Sequence, residues 1–142
     1  MTLTREERQQ FLAEPHIAAL AVETGDEGRA PLTVPVWYQY TPGRDVWIMT
    51  GLGSRKERLI ARAGRFSLLV DRVEPSVRYV SVEGPVVSAA PATRQQLVEI
   101  TARYLPARKV AYYVEFAEKE LGEQVVIHMR PQRWNSAELG PI

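Results

Sequence analysis

Hydrophobic and polar residues alternate along several short stretches of the chain, which is the pattern of β-strands with one buried face. The clearest stretch covers residues 31–40, and its apolar face would consist of Leu32, Val34, Val36, Tyr38 and Tyr40. Further strands are predicted over residues 16–22, 46–50, 65–71, 77–87 and 124–130. Because most of these stretches are joined by short turns, we expect antiparallel pairing. Short antiparallel strands that must hide their edges favour a small barrel.

Three or four helices are predicted around these strands. Thr4 and Glu7 form a capping-box pattern that opens the first helix, and Gly64 is a natural stop for the second. The helices after the first are predicted over residues 55–63, 91–105 and 108–121. The chain therefore predicts a mainly β, α+β fold, with helices packed around a barrel-like sheet.

Two prolines interrupt predicted strands. Proline has no N–H for a β-ladder, so Pro35 marks an edge, a bulge or a place where the ladder opens, and Gly84 with Pro85 should bend or bulge its strand. The 142 residues show no linker, internal repeat or low-complexity segment. We therefore expect one domain over residues 1–142, with a flexible tail over residues 135–142.

The segment from Thr50 to Lys56 combines several features of an anion site. It is predicted to leave a strand, turn through two glycines and enter a helix whose expected N-cap is Ser54, in a capping box with Glu57. Arg55 and Lys56 then occupy the first helical positions, where a cation opposes the helix dipole. Backbone N–H groups, two cations and a hydroxyl group together suit a phosphate. A solvated, capped surface helix explains the same local pattern, so the rest of the chain has to decide.

Composition narrows the possible classes of function. The 18 Lys and Arg residues balance 17 Asp and Glu residues, for a net charge of +1, so no overall field attracts nucleic acid or an acidic membrane. The absence of cysteine excludes thiolate chemistry and iron–sulfur clusters. No apolar run approaches the roughly 20 residues of a membrane span, and the charged N-terminus lacks the apolar core of a signal peptide. A cytoplasmic protein is expected.

Metal and hydrolytic sites are disfavoured, whereas a cofactor site is not. His16 and His128 are the only histidines, and neither has a ligand pair at metal spacing, so no metal site is expected. No Gly-x-Ser-x-Gly elbow is present. Trp37 precedes the basic turn and could line a flat, conjugated ligand, although packing in the core would explain it equally well. A phosphorylated aromatic cofactor would use both features and would itself carry the chemistry.

Taken in order, these motifs resemble the pyridoxamine 5′-phosphate oxidase-like split-barrel family, and more closely its flavin- and deazaflavin-dependent oxidoreductase branch. The resemblance extends from Phe11 to Trp134. The segments that carry it are residues 31–38, 46–56, 66–70, 82–84 and 129–134. It implies a six-stranded antiparallel split β-barrel with peripheral helices, the FMN-binding split barrel. It also implies a homodimer with a cofactor in each of two clefts between the subunits.

The same resemblance implies roles for particular residues. The cofactor phosphate would be held by Thr50, Ser54, Arg55 and Lys56. The isoalloxazine or deazaflavin ring would lie beside Val34, Pro35, Val36 and Trp37. The partner subunit would bring Arg78, Tyr79 or Trp134 into the cleft. No catalytic residue is assigned, and water or the Tyr79 hydroxyl group are the options for a proton donor.

The implied activity is hydride transfer between coenzyme F420 and an unidentified small organic substrate. An FMN-dependent oxidoreductase is the first alternative, and a non-catalytic carrier or sensor that binds a flavin or a tetrapyrrole is the second. The end of the chain lacks the Arg-x-His type of substrate signature found in true pyridoxamine-phosphate oxidases. Oxidation of vitamin B6 is therefore not expected.

Overall fold

The computed structural model describes residues 1–141, and within them the chain forms eight strands and four helices. In chain order they are α1 (Arg5–Ala13), β1 (Ala18–Val22), β2 (Leu32–Val36), β3 (Tyr38–Tyr40), β4 (Val46–Gly51), α2 (Arg55–Ala63), β5 (Arg65–Arg72), β6 (Ser76–Pro91), α3 (Arg94–Tyr104), α4 (Ala107–Glu120), β7 (Gln124–Met129) and β8 (Arg133–Pro141). All strand pairs in this part of the chain are antiparallel. The predicted class of mainly antiparallel β-structure with helices is confirmed. The predicted count of six strands is wrong.

The sheet curls until its two ends meet. The strand order is β2-β1-β5-β6-β7-β4-β3, with β8 paired to β6 outside this path. Although β2 and β3 stand at opposite ends of this order, only Trp37 separates them along the chain. One interrupted strand therefore joins the two ends, and the opening expected near Pro35 lies at Trp37. This interruption is one reason why the strand count exceeds six.

β6 connects the two halves of the curled sheet. Its first part pairs with β5 on one side and β8 on the other, and from Val86 onward it pairs with β7. A shift in register lies between Val86 and Ser88. Gly84 permits the crossing, because a Cβ atom there would lie 1.7 Å from the carbonyl oxygen of Arg130. The bend or bulge predicted at Gly84 and Pro85 is thus a change of pairing partner, with the bulge just after it.

The last strand replaces the expected flexible tail. Residues 135–141 form most of β8, which pairs with β6, and the Ser136 side chain is buried. The Glu138 carboxylate accepts a hydrogen bond from Arg78 Nε at 2.6 Å. The expectation of a flexible tail is corrected for these residues, because they pair with the edge of β6 as a strand. Ile142, the last residue of the expected tail, lies outside the described residues.

Apolar side chains form two clusters, one inside the curled sheet and one outside it. The inner cluster takes alternate residues of the strands, including Leu20, Tyr38, Ile48, Leu68 and Ile127. The outer cluster joins Trp47 of β4, Val126 of β7 and Ile100 of α3. It holds α3 beside Trp37, and α4 reaches the same place through Tyr113, whose ring centroid lies 5.5 Å from that of Trp37. Within residues 1–141 no helix is long and apolar enough to cross a membrane.

Candidate functional site

The turn between β4 and α2 carries a pair of hydroxyl groups. Ser54 caps α2, because its Oγ accepts a hydrogen bond from the N–H of Glu57 at 3.2 Å, and it lies 3.3 Å from Oγ1 of the buried Thr50. The Glu57 carboxylate accepts from the N–H of Gly53 at 3.4 Å, while the N–H of Ser54 donates to the Gly51 carbonyl. The predicted N-cap is therefore confirmed, but the capping box is only half formed.

The first turn of α2 presents unpaired donors. Within residues 1–141, no hydrogen bond uses the backbone N–H of Arg55 or Lys56, and neither side chain lies within ion-pair distance of a carboxylate. Arg55 is exposed, whereas Lys56 is half-buried, and this burial lowers the pKa of its ammonium group below the ordinary 10.5. A partly desolvated ammonium group without a counter-ion is unfavourable unless an anion completes the site.

A cavity of about 220 Å³ brings Lys56 together with the strand at which the sheet is interrupted. Its lining includes Lys56, Pro35, Val36 and Trp37, and helices α3 and α4 cover it, with Tyr113 among the covering residues. Four of the predicted site residues thus share one small enclosure. The end of β2 and the start of α2 bring these four residues together.

The other predicted site residues lie elsewhere. Val34 packs against the inner core, on the same face of β2 as Val36, but unlike Val36 it does not line the cavity. Arg78 is paired with Glu138 within its own chain, and Trp134 lies beneath the guanidinium group of Arg8, 4.8 Å from the ring centroid. Neither these two residues nor Tyr79 lines the cavity of their own chain.

One face of the Trp37 ring is already occupied, and a second aromatic ring lies near it. Tyr104 stacks on it with ring centroids 4.8 Å apart and an interplanar angle of 17°, and Tyr113 lies 5.5 Å from it at 38°. A flat ligand in this arrangement would share Trp37 with these two tyrosines. The sequence does not reveal that two tyrosines of α3 and α4 reach this strand, and the role of Trp37 beside a cofactor ring stays a prediction.

The sequence did not point to eight of the twelve residues that line this cavity, Gln124 and Tyr113 among them. Gln124, at the start of β7, lines the cavity and pairs with Gly51 in the β4–β7 ladder. Tyr113 of α4 lies on the predicted helix over residues 108–121, and it helps to line the cavity. Neither residue belongs to a recognisable motif. Their positions follow from the pairing of β4 with β7 and from the placement of α4.

The residues present fit the phosphate end of a cofactor better than its ring. The free N–H groups, the half-buried ammonium group and the hydroxyl pair at the start of α2 are suitable donors for a phosphate. The cavity of about 220 Å³ is smaller than the roughly 300–1,000 Å³ typical of ligand pockets. An aromatic ring bound at this phosphate site would therefore extend beyond the cavity of one chain.

Comparison with solved structures places the fold among known proteins. A conserved hypothetical protein from Mycobacterium tuberculosis superposes with a TM-score of 0.73 at 20% identity, over 97% of this chain and 86% of that chain. A protein described as an F420 reductase gives a TM-score of 0.69 at 20% identity, over 89% and 94%. A FAD-binding protein from Mesorhizobium loti gives 0.61 at 17% identity, over 97% and 95%.

A comparison with curated proteins finds no significant match. The similarity to solved structures concerns the fold, because all three identities are low. The family is established separately, by sequence. The family profile described as "Pyridoxamine 5′-phosphate oxidase" matches residues 4–137, and the chain therefore belongs to the pyridoxamine 5′-phosphate oxidase family.

Proposed function

We propose that this protein is an oxidoreductase that binds coenzyme F420 at the start of α2 and uses it on a small organic substrate. The observation that carries the proposal is the half-buried Lys56, which has no carboxylate partner within residues 1–141 and lines a cavity with Pro35 and Trp37. The fold shared with an F420 reductase supports the choice of cofactor. FMN is the alternative, and the FAD-binding protein of the same fold supports a flavin in general.

The chain's own residues would bind and orient the cofactor. Lys56 and the N–H groups of Arg55 and Lys56 would hold a phosphate, with the hydroxyl groups of Ser54 and Thr50 close by. The strand end at Pro35 would position the ring edge, and α3 and α4 would exclude water from this side. When bound, F420 supplies or accepts a hydride, and the substrate exchanges the accompanying proton with water or a nearby hydroxyl group.

F420 differs from FMN in its tail, which adds carboxylates beyond the phosphate. Arg58 and Arg62 lie on exposed positions of α2, on the side of the helix that carries Arg55, so they extend the positive charge of Arg55 along the helix. Arg62 makes one long contact, 3.5 Å from its Nη2 to the carbonyl oxygen of Gly25, and is otherwise available to an anionic tail. This charge favours F420 over FMN.

The proposal includes a homodimer, which the family resemblance implies and which would enlarge the small cavity around Lys56. The partner subunit would complete the cleft with Tyr79, Arg78 or Trp134. Tyr79 is the better candidate, since its hydroxyl group makes no hydrogen bond within the described part of the chain, whereas Arg78 is already paired with Glu138. A hydroxyl group at that place could also donate the proton.

The test is a fluorescence titration of the purified protein with F420 and, in parallel, with FMN. Replacing Lys56 and Arg55 with alanine together should weaken binding by tenfold or more, since hydrogen bonds to charged groups contribute about 1.5–3 kcal/mol each. Lys119→Ala is the matched control, because Lys119 is an exposed lysine whose partner is Glu115 on the same helix. It should leave the affinity unchanged.

The outcomes separate the candidate functions. Tight F420 binding with weak FMN binding supports the deazaflavin enzyme, and the reverse supports an FMN enzyme. Saturable binding without turnover of any substrate supports a carrier. Affinity that is unchanged in the double variant would reject the start of α2 as the phosphate site.

A further inference from the structure

An open groove of about 850 Å³ adjoins the cofactor cavity. It runs between α2, the second part of β6 and the α3–α4 pair. Met49, Leu97, Ala117 and Gln124 line both the groove and the cavity that contains Lys56, so the two spaces are neighbours across these four residues. A molecule in the groove would therefore lie next to a ring that extends out of the smaller cavity.

The wall of the groove is largely apolar and combines small side chains with larger aliphatic ones. β6 contributes Val86, Ala89 and Ala90, and α2 contributes Ala61. The three alanines are exposed. Contiguous exposed apolar surface is typical of binding sites. Small side chains leave space, and the volume falls in the range that accommodates a bulky organic ligand.

The charges at the groove are mainly negative. Glu57, Glu118 and Glu123 line it, against one cation, Arg94. Arg94 Nη1 donates to the Glu118 carboxylate, so these two charges compensate each other. Glu57 and Glu123 have no cationic partner within residues 1–141. The remaining field repels anions that approach the apolar wall.

We propose that this groove is the substrate site and that it selects uncharged, bulky apolar organic molecules over anionic ones. This inference rests on the proposed function, since it names the substrate class of the same enzyme. The charges of the site then lie in two places. The cations at the start of α2 attract the anionic cofactor. The carboxylates at the groove keep anionic compounds away from the neighbouring apolar wall. The cofactor and the substrate are thereby directed to different places.

The experiment uses two fluorescent probes that share one skeleton, in the absence of any cofactor. N-phenyl-1-naphthylamine is uncharged, and 8-anilinonaphthalene-1-sulfonate is its sulfonated, anionic analogue. The uncharged probe should bind saturably and about tenfold more tightly than the anionic probe, a ratio that corresponds to about 1.4 kcal/mol. Glu123→Gln should strengthen binding of the anionic probe about threefold, because one repulsive charge at the rim is removed, and should leave the uncharged probe unchanged.

Two alanine variants identify the place of binding. Ala61→Phe puts a ring into the groove from an exposed position of α2 and should weaken binding of the uncharged probe about tenfold by filling the space it uses. Ala102→Phe adds the same ring at an exposed position of α3 that does not line the groove, and it should have no effect. Both sites are exposed on helices, so both variants should fold.

Three results would overturn the proposal. The first is equal affinity for the two probes, and the second is binding of the uncharged probe that Ala61→Phe does not change. The third is no probe binding in a protein whose groove is covered by a second copy of the chain. The last result would assign the groove to contact between subunits. Because the probes are tested without cofactor, their outcome is independent of the F420 titration. A groove that binds the probes in a protein that binds neither F420 nor FMN would reject the proposed function and leave an apolar binding site.

Discussion

At the candidate site, Lys56 differs most clearly from an ordinary surface lysine, because its side chain is half-buried. Its burial lowers the pKa of the ammonium group, because desolvation disfavours the charged form. The sequence predicted that Lys56 is a candidate phosphate ligand from its place in the first turn of a helix. It could not predict this cavity, because many of the residues that line it with Lys56 belong to α3 and α4, far along the chain.

The lowered pKa predicts a pH dependence of cofactor binding. A phosphate prefers the protonated form of Lys56, so affinity should be full at low pH and fall as pH rises through a pKa below 10.5. In Lys56→Arg this fall should be absent, because the guanidinium group stays protonated in this range. Titrations with F420 or FMN between pH 7 and 10 measure the effect. An identical pH profile in both proteins would exclude Lys56 as the titrating group.

Gly84 is required for its size rather than for its backbone angles. Alanine at this position would place a Cβ atom 1.7 Å from the Arg130 carbonyl oxygen, so the crossing of β6 would have to shift. Gly84→Ala should lower the free energy of unfolding by at least about 2 kcal/mol, measured by urea denaturation. Gly51→Ala is the control, because the nearest atom would be 3.8 Å away. Equal stability of the two variants would contradict this reading of β6.

At the scale of elements, α3 closes the gap between β2 and β3. The Tyr104 hydroxyl group accepts a hydrogen bond from the N–H of Tyr38 at 3.1 Å and donates to the carbonyl of His16 at 2.8 Å. These backbone groups lie where the ladder is interrupted at Trp37. The sequence predicted both the helix and an opening near Pro35. Only the structure shows that the helix supplies a hydroxyl group for the unpaired backbone groups at this opening.

Tyr104→Phe should therefore destabilise the fold. Removing the hydroxyl group leaves the Tyr38 N–H and the His16 carbonyl without this partner, at a cost of about 1–3 kcal/mol in the free energy of unfolding. Tyr112→Phe removes the same group from a side chain of α4 that is 78% exposed, and it should change stability by almost nothing. The midpoints of urea denaturation compare the two variants, and equal midpoints would show that the Tyr104 hydroxyl group is not structural.

At the scale of the whole molecule, the proposed cofactor site is incomplete in one chain. Lys56 and the end of β2 enclose a small cavity, while Tyr79 and Trp134 lie elsewhere on the sheet. The proposed homodimer would bring these two groups together. The idea of a shared cleft came from the family resemblance, since nothing in a single chain's pattern of residues specifies a second copy.

The dimer makes a prediction of its own. Sedimentation velocity should give twice the mass of one chain, with one cofactor bound per chain. Lys56→Ala chains mixed in equal amounts with Tyr79→Ala chains should regain about a quarter of the cofactor binding. About half of the re-formed dimers are mixed, and each mixed dimer contains one cleft with both residues and one with neither. Re-annealed Lys56→Ala dimers are the control. A monomer that binds cofactor at full affinity would reject the shared cleft.

The sequence by itself determined the local elements: the four helices, most of the strands and the cap of α2 follow from residues a few positions apart, whose alternation and capping act within one element. It also placed Lys56 at a helix start next to glycines. Tertiary structure alone decided which strands pair and that residues 135–141 form a strand beside β6. It also decided that residues of α3 and α4 line one cavity with Trp37 and Lys56. These features depend on contacts between segments far apart in the chain, whose geometry no local pattern encodes.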